Sequence, residues 1–377
     1  MKRVVIASVL KPVTDTRMYE KIAKTLAATF HVEVHVIGHK VELIAASSQN
    51  IFLHPVFEFS RLSIKRFLAW ITYLQLLFRL KPDILIVTTH ELLFPSVVYK
   101  LLYGGKIVYD VQENYFHNII YTNTFPKLLK YPIAISIRCK EILLSAFVTQ
   151  FILAERCYVD ECELFLGKNN YDVIENKFVG EAEMKQNVQL APGFKMVYAG
   201  TIAESYGIWE AIHLSEKIHE IDPNVTLTII GFSPNTTLYR QIYAYVRNKK
   251  HIRMIGGDTL VAHEKVLQAL KEADLALLSY QFNLSTNNRI PTKIYECLAL
   301  SLPMLIPQFA HRWNKLIQEY NAGLVIDFET DHIDKIYTQI LNSNFYNKTI
   351  PPSLYWWDDK ALVDILESII LTNVDNK

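Results

Sequence analysis

Residues 287–305, "NNRIPTKIYECLALSLPML", gather charge and hydrogen-bonding groups at the entrance of an apolar helix. Pro291 lacks a backbone N–H and suits the first helical position. The spacing therefore predicts a helix from there through Leu300, with free N–H groups and a positive dipole end at its start. Such an end attracts phosphate. Arg289 and Lys293 flank Pro291 and Thr292 with formal charges, and Asn288 offers hydrogen bonds without repelling an anion. Glu296 follows Lys293 on nearly the same helix face. It would repel phosphate but accept hydrogen bonds from sugar hydroxyls. The chemistry that this pattern supports is the grip of a nucleotide sugar, with the diphosphate at the helix end and the ribose on Glu296. A capped surface helix with a Lys–Glu pair has the same residues, so this segment alone does not decide between them.

The elements that would position these residues are visible as short apolar runs between longer helical stretches. "RVVIASVL", "VEVHVIG", "DILIVTT" and "KIVYDV" come first, then "KMVYAGT", "VTLTIIG", "IRMIGG", "LALLSY", "PMLIP" and "GLVIDF". Near-continuous apolar strands alternating with helices predict an α/β chain with parallel sheets covered on both faces. Residues 176–195 are polar, aperiodic and carry Gly180, Pro192 and Gly193, the composition of a linker. Domains are therefore expected at about 1–178 and 195–350, with a terminal segment at 351–377. Ligands of parallel sheets sit at strand carboxyl ends. By that rule Asp15 and Arg17 after the first strand, His90 and Glu91 after "DILIVTT", and Glu113, Asn114 and His117 after "KIVYDV" are candidates. Asp15 is equally a plain helix N-cap, Glu91 has the same alternative, and His117 alone is compatible with a structural histidine.

Composition narrows the field. A chain of 377 residues fits two domains, and 39 Lys plus Arg against 38 Asp plus Glu lack the basic excess of a nucleic-acid surface. Neither G-x-G-x-x-G nor a P-loop is present, which removes the main support for a dehydrogenase or a P-loop phosphotransferase. The four cysteines form no C-x-x-C pair and suit a reduced cytosol. The apolar run after Lys2 and Arg3 stops at Leu10 and reads as a strand, not a signal peptide. No window of 18 uncharged apolar residues predicts a spanning helix. Residues 57–81 and 126–153 are long, apolar and studded with Lys and Arg, a pattern shared by core-facing helices and by helices lying on an anionic bilayer.

Four segments carry a family resemblance in chain order. "KPVTDTRMYEKIAKTLAATFHVEVHVIG" and "THELLFPSVVYKLLYGGKIVYDVQENY" lie in the first half, "VYAGTIAESYGIWEAIHL" and "IPTKIYECLALSLPML" in the second. Together they resemble retaining glycosyltransferases of the GT-B fold, particularly the large family 4 with its bacterial polysaccharide and lipopolysaccharide enzymes. The resemblance implies two Rossmann-like domains facing across a cleft, with a last helix crossing back to the first. It implies transfer of a sugar from a nucleoside-diphosphate donor in the second domain to a glycan or lipid-linked acceptor on the first. Retention of configuration and no metal or other cofactor belong to the same expectation, while the cysteines point to a cytoplasmic location and the two apolar, basic stretches at 57–81 and 126–153 are compatible with peripheral membrane contact.

By this resemblance Glu296 ends the family's Glu, seven residues, Glu signature and meets the donor ribose, while Asn288 replaces its first glutamate beside the transferred sugar. Thr201 after Gly200 and Tyr206 before Gly207 stand where the family tends to place Arg and Lys on the diphosphate. Arg289 and Lys293 are the nearest cations to substitute for them. Gln112 replaces a sugar-facing histidine. Gln112, Glu113 and Asn288 are thus the implied catalytic positions. The donor set is Gly200, Thr201, Arg289, Pro291, Thr292, Lys293 and Glu296. Asp15, Arg17, His90, Asn114 and His117 form the acceptor side. A sugar-nucleotide-binding subunit that supports an active partner is the alternative that the substitutions leave open.

Overall fold

Val, Ile and Leu in unbroken runs bury both faces of a strand, which a parallel sheet wound with helices on each side requires. The computed structural model describes residues 1–41, 50–59, 63, 65–121, 125–284, 287–329 and 332–371. The chain divides into two units, Met1–Val179 joined by the chain from Trp357, and Gly180–Trp356.

The first unit holds β1 (Lys2–Pro12), β2 (Val32–His39), β3 (Ile51–Phe57), β4 (Ile84–Val87), β5 (Lys106–Val111), β6 (Gln150–Leu153) and β7 (Tyr171–Val173). Its sheet order is β3-β2-β1-β4-β5-β6-β7, parallel throughout. Helices Lys65–Leu80 and Leu93–Tyr103 close one face over a core that includes Leu77, Val97, Tyr109 and Phe151. On the other face Met18 and Leu26 meet Leu362 and Leu366 of the terminal helix Asp359–Leu371.

The second unit holds β8 (Lys195–Thr201), β9 (Thr226–Phe232), β10 (Ile252–Gly257), β11 (Leu275–Leu277), β12 (Met304–Pro307) and β13 (Gly323–Ile326). These run parallel in the order β10-β9-β8-β11-β12-β13. In each sheet the chain winds outward from its first strand in both directions, so β1/β4 and β8/β11 are topological switch points.

Several expectations need correction. Residues 126–153 are one helix, Lys127–Ser145, followed by β6, because the run "QFIL" is as apolar as the helix before it and carries no separate signal. In 57–81, Phe57 closes β3 and the helix begins at Lys65; residues 60–62 and 64 lie outside the described residues. The expected linker, 176–195, belongs to the second unit from Gly180 onward. Glu183 N–H donates to Ala299 O at 2.9 Å, and Val188 bridges antiparallel to Phe345. That unit ends at Trp356, after the short helix Pro352–Tyr355, and not at residue 350. Of the terminal segment, residues 372–377 lie outside the described residues.

Arg17 is 1% exposed. Its guanidinium donates from Nε to both Asp110 oxygens at 3.1 and 2.9 Å, from Nη2 to Asp110 Oδ1 at 2.7 Å, and from Nη1 to Ile174 O at 2.9 Å. Trp357 lies 5.4 Å from its charge. Those contacts tie the first helical turn, β5 and the start of the terminal segment together. Removing one partner of such a buried pair leaves the other charge uncompensated. Arg17→Met is therefore expected to destabilise the first unit by about 3 kcal/mol, read as a lowered thermal midpoint; an unchanged midpoint would show that the clasp contributes little.

Candidate functional site

At the carboxyl end of β8, the single hydroxyl proton of Tyr198 is shared between Thr201 O at 2.9 Å and Tyr206 O at 3.2 Å, holding the loop between them. Gly207 closes that loop with φ of 71°, and a Cβ there would stand 1.6 Å from Ser279 O, so only glycine fits. Ser279, just past β11, donates its hydroxyl to Gly207 O at 2.6 Å. The loops on both sides of the switch point are thereby locked to each other.

Helix Thr292–Ala299 starts beside them. Pro291 is its N-cap, one position earlier than expected, and provides no side-chain cap. The proline dihedral suits the entry while the missing N–H costs nothing there. Lys293 reaches back toward β8, with its Cε 3.5 Å from where a Cβ on Gly200 would lie. Its ammonium donates to Glu296 Oε2 at 2.6 Å, and Glu296 Oε1 lies 3.0 Å from His263 Nε2. His263 opens helix His263–Lys271, which follows β10.

Glu296 is only 5% exposed. Burial by itself would raise its carboxyl, but the Lys293 ammonium and the hydrogen bond and charge of His263 outweigh it and hold the group down at about 2. Each oxygen has one partner here and retains a further lone pair for a hydroxyl donor. The backbone before the helix is pinned from helix His311–Glu319. Arg312 Nη1 donates to Asn288 O at 2.6 Å, and Trp313 Nε1 donates to Arg289 O. Asn288 itself is exposed, as is Thr201. This arrangement joins a helix amino end, a lysine and a buried carboxylate at strand carboxyl ends, which suits a ligand with both phosphate and hydroxyl groups.

In the first unit the expected residues do gather past β1, β4 and β5, but three of them are committed to the protein. Arg17 is consumed by Asp110, as described. His90 is buried, with Nδ1 2.6 Å from Lys140 Nζ and its ring edge-on to Tyr115. Burial and the Lys140 charge put its pKa well below the usual range, so the ring is neutral and accepts from Lys140. Asn114 is buried, donates to Glu161 Oε2 at 3.0 Å and accepts from Arg138 Nη2 at 2.8 Å. Their roles are structural, against the expectation of ligand contact.

The others are partly accessible. Asp15 is the N-cap, accepting from Arg17 N and Met18 N at 3.0 and 3.1 Å, with Lys11 Nζ 3.4 Å from its other oxygen. Gln112 donates to Asp110 Oδ2 at 2.7 Å, Glu113 accepts from Asn118 at 3.0 Å, and His117 Nδ1 lies 3.3 Å from Glu161. Glu91 pairs with Arg66. For Lys11, burial would lower the pKa, yet Asp15 and Glu113 together raise it.

Sequence reasoning missed Lys11, Tyr198, Ser279, His263 and Trp313. His263 follows the strand run "IRMIGG" and opens a helix, so the strand-end rule that selected His90 applies to it equally. Among the described residues no group of three or more His, Cys, Asp or Glu is placed to hold a metal ion. A cavity of about 290 Å³ lies at the other edge of the second sheet, lined by Lys185, Phe194, Asp274 and Pro303 at the amino ends of β8, β11 and β12. It is remote in the sheet from Lys293 and Glu296.

No protein-family model matches the sequence, and a search of curated proteins finds no match. Solved structures do match over nearly the whole chain. Sucrose-phosphate synthase from Thermosynechococcus elongatus has a TM-score of 0.68 at 11% identity, covering 99% of this chain and 100% of that one. Anabaena Alr3699/HepE in complex with UDP and glucose has a TM-score of 0.62 at 11% identity, with the same coverage. A putative UDP-N-acetylglucosamine 2-epimerase from Listeria monocytogenes has a TM-score of 0.60 at 11% identity, covering 99% of this chain and 98% of that one. These likenesses show the fold, two Rossmann-like α/β units of the GT-B class.

Because the Glu296 carboxyl in the folded chain lies below its ordinary value of 4.5, its ionisation stabilises the fold fully above about pH 4.5, and that contribution is lost as pH falls toward 2. Glu296→Gln is expected to flatten the acid side of the thermal-midpoint profile between those values relative to the parent. Parallel profiles would mean that the triad with Lys293 and His263 does not form.

Proposed function

We propose that the chain is a glycosyltransferase that moves a sugar from a nucleoside-diphosphate donor to a glycan or lipid-linked acceptor, with retention and without a metal. One observation carries the reading. Lys293 lies over Gly200 at the switch point while also paired to buried Glu296, so a cation, a helix amino end and a ribose-competent acceptor share one place. A diphosphate there meets the dipole of helix Thr292–Ala299 and the charges of Lys293 and Arg289, compensating for uncharged Thr201 and Tyr206 in the first loop. Glu296 accepts from the ribose hydroxyls with its remaining lone pairs. Asn288, exposed beside the same entrance, serves the transferred sugar with an amide.

In the reaction, the bond from the anomeric carbon to the diphosphate oxygen breaks and the acceptor hydroxyl oxygen bonds to that carbon on the same face. The departing diphosphate takes the hydroxyl proton. The protein's part is positioning and stabilisation of charge on the leaving group. Lys293, Arg289 and the helix end supply that stabilisation, which is the support for metal independence. Gln112 and Glu113, partly accessible past β5, are the groups proposed to meet the sugar or acceptor from the first unit. UDP-sugars come first as donors, since relatives of this fold include complexes with UDP-glucose and UDP-2-fluoro glucose.

A non-catalytic sugar-nucleotide-binding subunit is the second reading. It is favoured by the Gln112 amide being turned onto Asp110 and by the absence of a titratable group at that position.

Titration calorimetry with a panel of nucleotide sugars tests the site. Binding of at least one is expected, and Lys293→Met weakens it by at least about tenfold, the loss of a charge-assisted hydrogen bond of about 1.5–3 kcal/mol. Binding unaffected by Lys293→Met and Glu296→Gln would remove the proposed site. Slow donor hydrolysis that depends on Glu296 and persists in EDTA supports the enzyme; binding without turnover with any acceptor extract supports the subunit.

A further inference from the structure

Helix Lys127–Ser145 is built inside out. Its inward side carries a charged pair, Arg138 and Glu141, buried with Ala134. Arg138 donates to Asn114 and lies over Phe165, while Glu141 Oε1 accepts from the Tyr109 hydroxyl at 2.9 Å. The outward side is apolar. Leu128, Tyr131, Ile135, Ile142 and Leu143 fall on one stripe at helical spacing, all exposed, with Leu128 at 91% and Leu143 at 73%. A water-facing helix ordinarily has the opposite polarity.

The stripe does not end with this helix. Leu93–Tyr103 packs against both it and Lys65–Leu80, and Trp70 on the latter stands edge-on to exposed Phe94. Leu68 and Ile71 extend the exposed apolar surface. Charge on the three helices is one-sided. Glu141 is their single carboxylate and is buried, whereas Lys65, Arg79 and Lys127 are exposed. Exposed carboxylates such as Glu58, Asp83 and Glu163 lie outside the three helices. None of the described helices is long and apolar enough to cross a membrane.

We propose that this face of the first unit lies on an anionic lipid bilayer, with Leu128, Ile135 and Leu143 entering the acyl boundary and Lys65, Arg79 and Lys127 meeting the headgroups. An apolar stripe flanked by cations, without exposed carboxylates, matches that surface in both polarity and charge. Trp70 suits the headgroup level, where an apolar ring keeps its N–H wet. A second copy of this chain fits less well, because a two-fold pairing would set these basic flanks against each other. The inference does not depend on the sugar-nucleotide site, since vesicle binding needs no donor.

Co-sedimentation of the full chain with phosphatidylcholine vesicles, with and without phosphatidylglycerol, tests it. Binding is expected on phosphatidylglycerol vesicles, falling as salt rises. The double variant Leu128→Asp, Ile135→Asp should retain its circular dichroism and lose at least about tenfold of that binding; Lys127→Glu should weaken it further at low salt. Absence of binding to phosphatidylglycerol vesicles at low salt, or equal binding by the double variant, overturns the proposal. So does a parent chain that sediments as a dimer which the double variant abolishes, since the face would then belong to a second copy.

Discussion

Parallel strands deliver all their carboxyl ends to one edge of a sheet, and a sheet wound both ways from its first strand leaves the connections at its centre departing to opposite faces. Everything placed at the candidate site follows from that constraint. In the second unit it brings the Gly200 loop, Ser279, His263 and the start of helix Thr292–Ala299 to one place, although these residues are scattered along the sequence. Gly207 pressed against Ser279 shows how closely the two central loops must approach. A buried Glu296 at such a spot stays charged because Lys293 and His263 surround it, and that charge is what gives the site an acceptor next to a cation.

The first unit uses the same topology differently. There the polar residues past β1, β4 and β5 are largely spent on holding the unit together. Arg17 and Asp110 link the helical entry to β5, Asn114 joins Glu161 to Arg138, and His90 receives Lys140. Identical placement rules thus yield a candidate binding edge in one sheet and a mostly internal hydrogen-bond network in the other. Within the first unit Arg17, His90 and Asn114 are buried, while Gln112, Glu113 and His117 keep partial exposure.

Much of this was legible in the sequence. Unbroken Val and Ile runs exposed both parallel sheets, and "RIPTK" with Glu296 marked the helix entrance, because strand burial and helix capping are local properties. Partnership across long sequence separations was not legible. Nothing in "TDTR" says that Arg17 faces Asp110, and nothing in "VAHEK" says that His263 reaches Glu296, since each depends on which strands become neighbours. β6 was hidden because "QFIL" continues the apolarity of the helix before it, and β7 because three residues are too few to show a period. The reversed polarity of Lys127–Ser145 was equally invisible, for periodicity reports a stripe and not which side of it faces the sheet.

The central claim is that a sugar nucleotide lies between the Gly200 loop and the start of helix Thr292–Ala299. Hydrogen exchange with and without a saturating nucleotide sugar addresses it directly. The account predicts protection confined mainly to peptides spanning Gly200 to Gly207 and Thr292 to Glu296, with His263 included. Protection centred instead on residues 183–194 and 301–303, around the cavity at the opposite edge of the sheet, would contradict it.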